Sequence, residues 1–238
     1  FHLVALAMDE TGYRNLMKLA SLAQTQGFYY RPRIDRQTLY AHQEGLIVLT
    51  ACLKGEIPWR LTHNDENGAR ARALELQKVF GDRLYLEIQE NGLPEQTIAN
   101  KGLMALAKEL GIKLVATNDC HYLTAEDAEA HEVLLCIQTQ TTMDDPKRMR
   151  FGTNELYYKS IEEMEKSFAH VPEALANTVR IAEQCNVELD FGHHYFPVYN
   201  LPEGASLDSE FRRLAEEGLE KRLEKHPDRE TLDAQLYR

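Results

Sequence analysis

The sequence predicts an α/β fold, with parallel strands in a sheet and helices packed outside it. Two observations carry that reading. Short apolar runs alternate with helical stripes through the first half of the chain, and this alternation is the pattern of βα units. The apolar runs are also continuous rather than alternating, as strands covered on both faces must be. A barrel and an open, doubly wound sheet both satisfy these observations.

The strands come in order at residues 2–7 (HLVALA), 45–50 (GLIVLT), 83–88 (RLYLEI) and 113–117 (KLVAT). Between the first two, Tyr13, Leu16, Met17, Leu19, Ala20 and Ala23 form one helical stripe, ended by Gly27. Residues 69–80 place Leu74, Leu76 and Val79 on a second helix, closed by Gly81. Residues 94–110 make a third, with Pro94 at the start, where no amide hydrogen is needed, and Gly111 at the stop. After residue 123 the texture changes. Thr124 caps a helix whose early acids Glu126, Asp127 and Glu129 suit its positive end. A polar loop (139–150) follows, then helices near 161–168 and 172–185. Residues 191–205, with Pro197, Pro202 and Gly204, read as a linker or domain boundary before a charged amphipathic helix at 207–225.

Composition narrows the class. The 238 residues are 43% hydrophobic and 27% charged, which excludes collagen, low-complexity disorder and a disulfide miniprotein. No apolar run approaches the ~20 residues of a membrane span, no signal peptide is visible, and no membrane partner is expected. Four cysteines without paired spacing point to a reducing cytoplasm. The net charge of −11 argues against the surface as a whole gripping DNA, though acidic residues favour a local metal site. The chain opens on Phe1 in mid-strand, which reads as a piece of something longer.

The strongest local feature is Asn118-Asp119-Cys120-His121-Tyr122, directly after the fourth strand. Residues just past strand ends face the mouth of a βα fold. Asp119 and His121 point to one side of an extended chain and make a natural ligand pair. The alternative is a turn, with Asp119 capping the next helix. Cys52 stands at the same level after the second strand, as a zinc ligand, a nucleophile or a small buried hydrophobe. Cys120 should point the other way, into the wall, and Cys136 and Cys185 lie on apolar helix faces. His2 at the head of the first strand reads as a core histidine unless other ligands meet it. Glu87 reads as an acceptor behind the ligands, and Glu90 as a surface acid. His131, His193 and His194 lack a carboxylate or thiol at ligand spacing. Lys147, Arg148 and Arg150 read as a solvated basic loop. Gly-rich phosphate cradles, HExxH and GxSxG are absent.

Several strings, in this order, resemble one known family. They are HLVALA, TGYRNLMKLASLA, GFYYRPRID, EGLIVLTACLKGEIP, GLPEQ, LVATNDCHYL, EDAEAHEVLLCIQT, DDPKRMRF and EALANTVRIAEQCNVELDFG. Together they are similar to the PHP (polymerase and histidinol phosphatase) domain of bacterial replicative polymerase III alpha subunits, over residues 1 to about 203. The resemblance implies a partial, distorted (β/α)7 barrel, TIM-like, followed by helical segments. It divides the chain into a PHP domain at 1–200 and a linker with the start of a polymerase palm at 201–238. It implies a divalent cluster of zinc or manganese, with His2, Cys52, Asp119 and His121 as ligands. The family's first motifs (an HxH pair, a DH dipeptide and a ligand Glu) have no match here, and no polymerase aspartate triad appears.

For the parent enzyme the resemblance implies DNA synthesis from dNTPs on a primer-template with Mg²⁺. It also implies sliding-clamp and clamp-loader subunits as partners. For the PHP cluster it implies phosphoester hydrolysis, either 3′→5′ nucleotide removal or pyrophosphate cleavage; apart from the resemblance, Arg31, Arg33 and the 147–150 cluster are basic candidates for orienting phosphate. The competing implication is a non-catalytic module that docks the proofreading exonuclease subunit. A free-standing histidinol-phosphate-type phosphatase fits poorly with the sequence after residue 124.

Overall fold

In the computed structural model, which describes residues 1–224, the four strands are β1 (Val4–Ala7), β2 (Leu46–Leu49), β3 (Leu84–Gln89) and β4 (Lys113–Thr117). They form one sheet in the order β1-β2-β3-β4. β2, β3 and β4 pair in parallel, as the alternation requires, with Leu49 opposite Tyr85 and Gln89 opposite Thr117.

β1 corrects the all-parallel expectation. It pairs antiparallel with β2, Val4 facing Leu49 and Ala7 facing Leu46. The reason lies in the connection. A single crossover helix returns the chain to the starting end of a parallel strand. Here two helices intervene, α1 (Glu10–Thr25) and α2 (Arg36–Ala41), so the chain comes back to the end it left. The apolar periodicity marks only α1. α2 is a single short stretch, marked by Asp35, whose carboxylate accepts from the Thr38 amide at 2.8 Å.

The helix α3 (Glu56–Thr62) also escaped the sequence reading, because Pro58 looks like a breaker. In the first turn its missing amide hydrogen costs no helical bond. α4 (Glu66–Phe80) starts three residues earlier than its apolar stripe, because Asp65 caps the Gly68 amide at 2.9 Å. α5 (Pro94–Leu110) begins and ends where its proline and glycine place it. Beyond β4, a Thr124–Asp127 capping box opens a 3-10 turn leading into α6 (Ala128–Thr139). α7 (Ile161–Ser167) and α8 (Pro172–Gln184) follow.

The sheet is covered on both sides. Leu46, Val48, Leu84, Leu86 and Ile88 meet α3, α4 and α5 in the larger core, with Leu61, Leu76 and Leu103. Ile47, Leu49, Tyr85 and Val115 face the other way and meet Ile181 of α8. A buried Arg72 joins α4 to α3 and α2, pairing with Glu56 at 3.0 Å and Glu75 at 2.8 Å and donating to the Tyr40 hydroxyl.

The chain forms two compact units, the first Phe1–Leu189 and the second beginning at Asp190. The second holds α9 (Leu207–Leu223), capped by Ser206. Lys225, the last residue of the expected 207–225 helix, and the rest of the 201–238 segment beyond residue 224 lie outside the described residues. Among the described residues, no helix is long and apolar enough to cross a membrane.

Gly12 sets how closely α1 approaches the sheet, since a Cβ there would lie 2.0 Å from the Gly45 carbonyl oxygen. We expect Gly12→Ala to destabilise the fold by about 3 kcal/mol, through backbone displacement. Gly111→Ala, at φ +68 in open space, should cost about 1 kcal/mol. Chemical denaturation of the two variants measures both, and equal losses would contradict the close packing.

Candidate functional site

A cavity of about 600 Å³ opens at the end of the sheet where β2, β3 and β4 terminate. His2, Cys52 and Asp119 line it, together with Glu87, Gln89 and Thr117. The antiparallel β1 is what brings His2 here. Its start lies at the same end of the sheet as the finish of β2. In an all-parallel sheet, His2 and Cys52 would lie at opposite ends. As built, the Cys52 Sγ and His2 Nδ1 are 3.8 Å apart.

Asp119 and His121 make a second pair, with Oδ1 and Nε2 3.7 Å apart. The extended-chain argument for them does not hold, because Asp119 is left-handed (φ +48). His121 is not part of the cavity lining. Its ring leans on Phe151 (4.6 Å between centroids) and His131 (5.7 Å), and its amide donates to the Leu156 carbonyl at 2.8 Å. Three of the four expected ligands thus share the cavity, and the fourth reaches it only through Asp119. Among the described residues, no group of three or more His, Cys, Asp or Glu side chains is arranged to hold a metal ion.

The floor of the cavity is a buried carboxylate. Glu87 accepts from the Ala51 amide at 2.8 Å, the Thr117 hydroxyl at 2.5 Å and the Gln89 side-chain amide at 3.3 Å. Burial pushes its carboxyl above the usual carboxylate range, and these donors only partly offset that. Burial likewise pushes the Cys52 thiol up, with the Asp119 charge adding to it.

Residues 1–91 match the PHP domain family. The chain is 47% identical over 240 residues to DNA polymerase III subunit alpha of Thermus aquaticus, covering 97% of this chain and 19% of that protein. It is 44% identical over 221 residues to the Treponema pallidum subunit, covering 92% and 19%, and 38% identical over 239 residues to that of Aquifex aeolicus, covering 97% and 21%. The chain belongs to the family of DNA polymerase III alpha subunits, and its first 91 residues match the PHP domain. It spans about a fifth of the length of the curated relatives it matches.

Several side chains differ from what the sequence predicts. Cys120 is exposed, its Sγ 3.9 Å from the Tyr157 carbonyl, because the left-handed Asp119 breaks the strand alternation. Arg148 is no solvated cation. It is buried, pairs with Glu132 at 2.5 Å and donates to the Met143 carbonyl. Lys147 and Arg150 do face solvent. His131 packs against His121, Tyr122 and Phe151, and burial followed by the nearby His121 pulls its pKa down. His193 does have a carboxylate partner, Asp190.

Gln89 and Thr117 also line the cavity, beyond the residues the sequence predicts. They face each other across β3 and β4 at the strand ends. The signal was present in LYLEIQ, where Glu87 and Gln89 put two polar groups on one side of an otherwise apolar strand. The donor types fit a divalent ion: imidazole, thiol and carboxylate suit zinc, and imidazole with carboxylate admits manganese. Gln89 Oε1, buried without a donor in a residue that lines the cavity, adds to that fit. The geometry supplies these donors as two pairs rather than one closed set.

Because its folded pKa lies above the usual 4.5, Glu87 binds its proton more tightly in the folded state. Its stabilising contribution is full below about pH 4.5 and is lost as pH rises through the folded value. Glu87→Gln removes this slope. Urea denaturation from about pH 4 to pH 8 should show the wild type losing stability relative to the variant as pH rises. A constant difference would contradict the raised pKa.

Proposed function

We propose that the cavity is a metal-dependent phosphoesterase site of a PHP domain, within a longer protein that synthesises DNA. The observation that supports it is the meeting of His2, Cys52 and Asp119, from three separate strand ends, around one cavity. In this reading His2 and Cys52 hold one side of a zinc or manganese site, and Asp119 with His121 holds the other. When bound, such ions polarise phosphoryl oxygens and make a water nucleophilic near neutral pH. Glu87 orients the shell: it holds the Ala51 amide, next to Cys52, and the Thr117 hydroxyl, two residues before Asp119. The substrate class is a phosphodiester or pyrophosphate, including the 3′ end of a DNA strand.

The same reading extends the sheet toward a distorted (β/α)7 barrel and assigns residues 1–200 to the PHP domain and 201–238 to the approach to a palm. The parent protein acts in the cytoplasm on primer-template and dNTPs with Mg²⁺, alongside a proofreading exonuclease, a sliding clamp and a clamp loader. A second reading, a docking module for the exonuclease subunit, is favoured by one observation: the donors stand in pairs rather than as a closed group of three.

Adding Zn²⁺ or Mn²⁺ to the full chain should raise its thermal midpoint, and Cys52→Ala or Asp119→Asn should abolish that rise. Metal-dependent hydrolysis of bis-p-nitrophenyl phosphate, lost in His121→Ala, supports the phosphoesterase. Metal binding without hydrolysis supports the docking module.

A further inference from the structure

The segment 27–34 (GFYYRPRI), between α1 and α2, is an exposed finger of aromatic and basic side chains. Tyr30 is 83% exposed, Tyr29 64% and Phe28 57%. Large aromatics are ordinarily drawn inside, and three consecutive ones in water form a recognition surface. Tyr30 moreover adopts φ +59, a conformation that is strained for a bulky residue. No burial offsets that strain. Such an outlier points to function rather than to folding.

The finger is preformed. A Cβ at Gly27 would lie 1.8 Å from the Arg33 carbonyl oxygen, so the two backbones touch at the neck. The Tyr29 amide donates to the Arg31 carbonyl at 3.1 Å, and Pro32 stiffens the return. Tyr29 and Tyr30 stand edge to face, 4.6 Å between centroids, and the Arg33 guanidinium lies 4.8 Å from the Tyr29 ring centre. Among the described residues, neither Arg31 nor Arg33 has a carboxylate partner within 4.0 Å, although the chain carries a net charge of −11. Two unneutralised cations and two exposed tyrosine rings are thus concentrated on one loop.

The topology sets the finger at the cavity's end of the sheet. The first turn of α1 lies against Gly45, where β2 begins. Sixteen helical residues then rise about 24 Å, past the level where β2 ends. At the finger's far side, Arg36 pairs at 2.7 Å with Glu56, four residues beyond Cys52.

We infer that this finger binds single-stranded nucleic acid, with bases stacked on Tyr29 and Tyr30 and phosphates held by Arg31 and Arg33. Stacking on aromatic side chains with guanidinium support is the chemistry of strand binding without base readout. The inference extends the reading above and rests on it only for the ligand class.

The test is fluorescence anisotropy of a labelled oligothymidylate with the full chain in EDTA. Without metal, hydrolysis plays no part, so failure of the phosphoesterase reading leaves these affinities unchanged. Tyr29→Ala and Tyr30→Ala should each weaken binding about tenfold, whereas Tyr30→Phe keeps it. Tyr30→Asn should weaken binding equally, and it accommodates the left-handed backbone while removing the ring. Arg31→Gln and Arg33→Gln should each reduce the salt slope by about 0.7. All these side chains are exposed, so thermal midpoints should be retained. The inference is overturned if the wild type does not bind the oligonucleotide, if the tyrosine variants bind as well as it does, or if blunt duplex binds as tightly.

Discussion

One buried carboxylate ties the ends of three strands together. Glu87 sits on β3, takes a backbone amide from the turn after β2, and takes a hydroxyl from the last residue of β4. A charge in that position is unfavourable unless it is well bonded. Three donors converge on it, and they are the groups that set the directions of the chain around Cys52 and Asp119. Ala51 and Asp119 both adopt positive φ, at +63 and +48. The left-handed turns and the carboxylate support one another: the turns aim backbone and hydroxyl donors inward, and the carboxylate holds them there.

The second constraint is the number of helices between β1 and β2. Two helices, rather than one, reverse β1 and carry its first residues to the mouth of the cavity. The same connection carries its own loop toward that end of the sheet. The position of His2 in the cavity and that of the aromatic finger therefore share one topological cause. The helical pair is held to the body by half-exposed Arg36, paired with Glu56 and Glu75, by the Tyr40 hydroxyl bonded to Arg72 and Glu75, and by the tight approach of Gly12 to Gly45.

Charge is distributed unevenly. Acidic residues predominate across the chain, yet many pair locally with arginines on helix surfaces, such as Arg14 with Glu10 and Arg70 with Glu109. Exposed pairs of this kind contribute little to stability. Their consequence is to neutralise several surface arginines, whereas Arg31 and Arg33 stand two residues apart on one exposed loop. Arg148 shows the reverse case. It belongs to a basic run in the sequence but is buried against Glu132, so it is spent internally.

By itself the sequence determined which segments become β2, β3, β4 and α5. Their signals are local: continuous apolar runs for the strands, a proline and a glycine at the helix ends. It also marked Asp119 and Cys52 as residues beyond strand ends, since that follows from chain order alone. Short α2 and α3 lacked enough turns for a periodic stripe, so the direction of β1 was illegible. Partnerships of Gln89, Thr117 and Glu87, the outward turn of Cys120 and the inward turn of Arg148 were decided only by tertiary structure. Each depends on backbone directions and contacts between residues far apart in sequence. Local pattern records what a segment prefers, whereas packing fixes which atoms it meets.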